Sequence, residues 1–183
     1  MKSPRSFILI IPLVLILFCS PIASWADPAR PDSWAIQCVD CPKFFDSMTD
    51  HSLRLDDAGY PHIAYGGGHL YYAWRDASGW HYETADPASM VGSYASLVLD
   101  ANGYPHISYQ DSGSQDLKYA YKDAAGWHFQ TVDNVGSAVQ SPSMAIDTKG
   151  WPHIAYQDLW NCDLKYAYAF TVDNWIYLPL VSK

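Results

Sequence analysis

The chain has 183 residues, eleven basic against nineteen acidic, and a formal net charge of −8. A balance this acidic excludes nucleic acid as a natural partner, because neutralising phosphates needs clustered Lys and Arg. Eighteen of the nineteen acids are Asp and only Glu83 is Glu; Asp favours turns where Glu favours helices, because its short side chain bonds to nearby backbone. With abundant Tyr, Trp and Phe, this composition predicts an all-β protein.

In chain order, Lys2 and Arg5 precede an apolar run from Phe7 to Phe18, and small residues around Ser24-Trp25-Ala26 offer a cleavage point. This layout predicts a signal peptide over residues 1–26. The run falls short of the ~20 residues of a membrane span, and no second one follows, so the expected mature protein is exported, with no membrane span and a net charge of −10. Residues 27–33 read as a linker. SWAIQCVD at 33–40 then reads as a lone strand that echoes GWHFQTVD at 126–133.

The rest is a threefold repeat. GYPHIAY at 59–65 returns as GYPHISY at 103–109 and GWPHIAY at 150–156, inside units spanning 52–86, 96–133 and 143–175. Each unit predicts four short strands. The first, Ser-Leu-x-Leu-Asp in two of the units, has alternating apolar residues. An Asp-x-x-Gly link then fits a type I turn with Gly where positive φ is cheap. Pro-His-Ile-x-Tyr follows, its proline tolerated at a strand's first residue. The third strand is Leu-x-Tyr-Ala-Tyr or Trp. In the first two units, Ala-x-Gly turns at 77–79 and 124–126 lead to the fourth, Trp-His-Tyr/Phe-x-Thr. Both strand faces are apolar but unequal in bulk, so a bulky face can nest on the small face of the next copy.

Four antiparallel strands recurring every 40–50 residues are the signature of β-propeller blades. The pattern Asp-x-x-Gly-x-Pro-His-Ile-x-Tyr, then Leu-Lys-Tyr-Ala, then Gly-Trp resembles the propeller repeats of secreted bacterial proteins in the sialidase-like or BNR-like superfamily. The resemblance covers residues 34–175. It departs from the strict Asp-box, since two residues rather than one separate Asp from Gly. It implies a bacterial protein, secreted or at the cell surface. Propellers close with about four to eight blades, so three units imply a partial propeller, or a ring of six completed by a homodimer in which residues 34–40 of each chain finish the other's third blade. Cys38, Cys41 and Cys162 are disulfide candidates at that junction. The tail, 176–183, reads as an irregular strand or a surface-retention signal.

His62, His106 and His153 stand at equivalent positions in every unit, which argues for a framework role: an imidazole can bond a neighbouring strand or the serine that starts each unit. His81 and His128 recur similarly. Sialidase-type hydrolysis would, by the resemblance, demand an arginine cluster, but the chain beyond residue 26 has only Arg30, Arg54 and Arg75, none at repeat-equivalent positions. Glycosidases also want two carboxylates facing each other across the bond, and nearly every Asp has a turn explanation. No catalytic residue is expected. Recognition is expected in the variable loops between second and third strands. There Asp111, Asp116, Asp158, Trp160 and Asp163 suit a glycan or protein ligand through hydroxyl bonding and stacking. Paired Asp residues could hold Ca²⁺, but no EF-hand spacing is present and no cofactor or metal site is predicted. The expected function is an exported, non-catalytic binding module. The alternative is a fragment or relative of a sialidase-like glycoside hydrolase.

Overall fold

A computed structural model describes residues 34–40, 52–134 and 139–170. The expected signal peptide and linker, Cys41, the end of the third unit and the tail lie outside the described residues. Backbone contacts divide the chain after Gln37; on the near side of that division, residues 34–37 are irregular and exposed.

Beyond it the fold is all-β, with no helix among the described residues. Three antiparallel sheets follow one another in the chain. The first contains β1 (Leu53–Leu55), β2 (Pro61–Gly66), β3 (Leu70–Asp76) and β4 (Gly79–Asp86), and the second β5 (Val91–Leu99), β6 (Pro105–Asp111), β7 (Asp116–Asp123) and β8 (Gly126–Asp133). The third contains β9 (Val139–Ile146), β10 (Pro152–Asp158) and β11 (Asp163–Tyr168). Within each sheet the strands pair in sequence order.

The Asp-x-x-Gly turns form as expected. Gly59, Gly103 and Gly150 take φ of 82°, 80° and 83°, and each donates its N–H to the carbonyl of the Asp three residues earlier, at 2.9, 3.0 and 3.0 Å. The Asp carboxylates cap the same turns. Asp56 accepts from the N–H groups of Tyr60 at 2.8 Å and Ala58 at 2.9 Å, and this bonding, the Tyr60 bond foremost, holds its carboxyl below the usual range.

Two details differ from the sequence reading. First, β5 and β9 begin at Val91 and Val139, ahead of the serines taken as the unit starts. Bulges interrupt their pairing, and Tyr94 and Ser141 there adopt positive φ of 54° and 48°; a bulge breaks the alternation on which the reading relied. Second, residues 34–40 are not a strand: 34–38 are irregular and Val39 and Asp40 form a bend. A strand needs a neighbour's ladder, and what Asp40 and Val39 have instead are hydroxyl bonds from the first sheet, Tyr65 to the Asp40 carboxylate and Tyr82 to the Val39 carbonyl. The third sheet has three strands among the described residues, and the end of the third unit lies outside them.

The sheets stack face to face. Ala64, Leu70 and Tyr72 of the first meet Leu97, Ile107 and Tyr109 of the second in one core. Leu117 and Tyr119, on the second sheet's other face, meet Met144, Ile154 and Tyr156 of the third in another. Bulk is shared within a face rather than assigned to one: small Ala64 stands opposite Tyr72, while on the reverse side Ile63 stands opposite Ala73. The repeat-start serines bond between sheets, Ser52 Oγ donating to the Ala95 carbonyl at 3.0 Å and Ser96 Oγ accepting from Met144 N–H at 3.1 Å.

Candidate functional site

Each of the three framework histidines uses Nδ1 for the hydroxyl of a third-strand tyrosine, His62 with Tyr72, His106 with Tyr119 and His153 with Tyr166, all at 2.5 Å. Nε2 faces the turn carboxylates of Asp56, Asp100 and Asp147 at 3.6, 4.0 and 3.7 Å. The repeat-start serine is not the partner. With Nδ1 accepting from the hydroxyl, the neutral imidazole turns Nε2–H toward the Asp beyond hydrogen-bond distance, and the buried Nε2 of His62 has no hydrogen-bond partner. Burial lowers the pKa of His62 and His106. His81 and His128 approach Asp76 and Asp123, at 2.9 and 3.0 Å, and stack on Trp74 and Tyr121.

The strand-two to strand-three loops lie at the end of the sheets where each fourth strand also finishes. There the sheets are joined by a polar clasp. Tyr109 donates its hydroxyl to Asp86, the last residue of β4, at 2.6 Å, and Lys118 lies 3.5 Å from Asp86 and 4.0 Å from Asp111. The same set recurs one repeat on: Tyr156 donates to Asp133 at 2.5 Å, and Lys165 lies 3.2 Å from Asp133 and 2.7 Å from Asp158. Burial, then the adjacent carboxylate, pushes both phenols far above their ordinary value. Lys165 and Asn161 hold the Asp158 carboxyl well below its own.

Tyr65 and Asp40 are the first copy of this clasp, so the irregular residues before the first sheet carry the contact that β4 and β8 carry later. Here the lysine position holds Tyr71 and the loop-acid position Gly67. Cation and anion are missing together, and Tyr71 instead lies beside the Tyr65 ring, centroids 5.5 Å apart.

This geometry sorts the five predicted ligand residues. Asp111 and Asp158 hold the clasp and their own loops: Asp111 accepts from Gly113 and Ser114 N–H at 2.9 and 3.1 Å, and fully buried Asp158 accepts from Asn161 Nδ2 at 2.8 Å. Asp116 and Asp163 are their cross-strand partners. Trp160 projects from the third loop with 73% of its surface exposed, and Asp163 is exposed near it. Cys162, at the same hairpin tip, is a free and exposed thiol with φ of 58°. The bridge expected from it to Cys38 or Cys41 is one between two chains; within one chain Cys162 is unbridged.

A second surface, unanticipated from sequence, lies at the opposite end. A groove of about 760 Å³ runs across the first strands and first turns, lined by Arg54, Asp57, Asn102 and Ile146 among others. Its signal was the recurrence of short polar turns beside each first strand. Glu83 lies at neither surface. It braces two sheets by accepting from Lys122 at 2.6 and 2.7 Å and from Trp127 Nε1 at 2.8 Å.

Among the described residues no group of three or more His, Cys, Asp or Glu side chains is placed to hold a metal ion. No helix there is long and apolar enough to cross a membrane. No family model matches the chain and no curated protein matches it.

Proposed function

We propose that this is an exported repeat module of β-propeller type that binds a glycan or protein through its strand-two to strand-three loops and carries out no reaction. The observation that supports this most is the third loop. Asp158, tied to Lys165 and Asn161, fixes the hairpin from beneath, and the rigid loop presents Trp160 with its ring exposed and Asp163 alongside. An indole on a held loop provides a stacking surface for a sugar ring at low entropic cost, and a nearby carboxylate accepts from hydroxyls. A glycosidase would need two free facing carboxylates, whereas Glu83, Asp86, Asp111, Asp133 and Asp158 are engaged in bracing.

A glycan array probed with the exported protein, and again with Trp160→Ala, tests the reading. Retained melting temperature with loss of most bound signal is the expected result. Signal unchanged by the substitution would remove the third loop from the site. Turnover of a fluorogenic glycoside panel would instead favour the hydrolase reading.

A further inference from the structure

Among the described residues each end of the stack exposes apolar side chains whose counterparts the two internal joints bury. On the face that each sheet offers to its successor, Leu70 and Leu117 are both 0% exposed, whereas Leu164, their counterpart in the third sheet, is 86% exposed. Tyr72 and Tyr119 are 3% and 5% exposed, and Tyr166 is 61%. On the face each sheet offers to its predecessor, Leu97 and Met144 are 0% and 4% exposed, and Leu53 of the first sheet is 49%. Among the described residues the third sheet has no successor, and the first sheet's outer face is open at Leu53 while Ala73 and Tyr65 on that face are 0% and 5% exposed.

The polar part of the missing joint is also present. In the two internal joints the last residue of the preceding sheet's fourth strand, Asp86 or Asp133, accepts from a tyrosine of the following sheet. Before the first sheet Asp40 does this with Tyr65, at the end of a segment whose sequence repeats β8. That segment has the sequence of a fourth strand. Leu117, Tyr119 and Ala120 pair with Asp133, Gln130 and Phe129 in the second sheet. By the same register Leu164, Tyr166 and Ala167 of β11 would pair with Asp40, Gln37 and Ile36.

We propose that two copies of this chain join head to tail, the third sheet of each packing on the first sheet of the other, with residues 34–40 of each adding the fourth strand to the other's third sheet. The occupant is a second copy because the exposed residues of the two faces are the counterparts of residues that the internal joints bury against each other, and because Val39 and Asp40, at the end of the joining segment, already bond to the first sheet. Such a joint is heterologous, and two of them close a pair of copies.

The test uses the chain from residue 27 onward and its solution mass by light scattering, with Leu53→Asp and Leu164→Asp as variants on the two faces. Both side chains are exposed in the single chain, so an unchanged β spectrum is expected of each. The expected result is twice the chain mass for the unmodified protein, one chain mass for either variant alone, and a 1:1 pair when the two variants are mixed, since that mixture retains one intact joint. A single-chain mass for the unmodified protein overturns the proposal. So does a dimer that survives one variant, which would mean that like faces pair, and so does an open polymer.

Discussion

Tyr109 and Ser108 are neighbours on β6 with opposite polar fates. The Tyr109 hydroxyl reaches Asp86 across the joint between sheets, whereas the fully buried Ser108 hydroxyl has no partner. Its counterparts, Ala64 and Ala155, carry no hydroxyl. Removing one partner of a buried bond to a charged group costs about 1–3 kcal/mol, while removing an unsatisfied hydroxyl relieves a penalty. Denaturant titration is therefore expected to show Tyr109→Phe destabilised by that amount and Ser108→Ala at or above the stability of the unmodified protein. The histidines set the acid response. Folded-state pKa values of His62 and His106 lie below the unfolded one because of burial, so the unfolded chain binds more protons. Their contribution is fully present above about pH 6.5 and is lost as pH falls from there through the depressed folded values. Asp56 and Asp147, lowered by backbone bonds foremost, add a second loss below about pH 4. Melting temperature against pH should fall in two stages, and the first should shrink in a His62→Gln, His106→Gln variant. The threefold histidine was plain in the sequence. Its tyrosine partner was not, because the bond spans two strands whose register the spacing alone does not fix.

At the scale of the element, two kinds of glycine can be separated. Gly59 has φ of 82° with open space where a Cβ would stand, whereas at Gly92, φ 92°, a Cβ would lie 2.8 Å from both the Leu70 Cα and the His69 carbonyl oxygen. Gly59→Ala is expected to cost about 1 kcal/mol, the left-handed penalty alone. Gly92→Ala adds backbone overlap between the first and second sheets and is expected to cost more than about 2 kcal/mol, again read by denaturation. The turns were legible because Asp and Gly at fixed spacing carry their own local chemistry. The cores of the strands were legible from alternation. The early halves of β5 and β9 were not, since a residue at positive φ inverts which side chains face inward. The strand-like pattern of residues 34–40 misled for a different reason: alternation reports fitness for a sheet, and only a neighbour's ladder makes one. Of the loop residues, the acids were visible as a cluster, but the lysines that claim Asp111 and Asp158 lie on the following strand and were counted there as part of the repeat.

At the scale of the molecule, the apolar joints between sheets connect neighbours in sequence, so a nucleus can form at either pair and growth can proceed one sheet at a time. The recurrence of the clasp then acquires a kinetic meaning. Asp86 ends the first sheet as Asp133 ends the second, and Tyr156 with Lys165 would accept the one as readily as the other. A chain that docks its third sheet on its first, leaving the middle repeat looped out, forms nearly every bond the correct arrangement offers. It escapes only by undoing them. At high concentration the stranded middle sheet finds the same faces on another chain. The recovered native fraction after dilution from denaturant is therefore expected to fall as protein rises from about 1 to about 100 μM, with soluble swapped species in its place. A series of refolding reactions followed by size-exclusion chromatography checks this, and a yield independent of concentration would count against it. The likeness among the repeats that gives the stack its uniform joints is thus also its principal folding hazard.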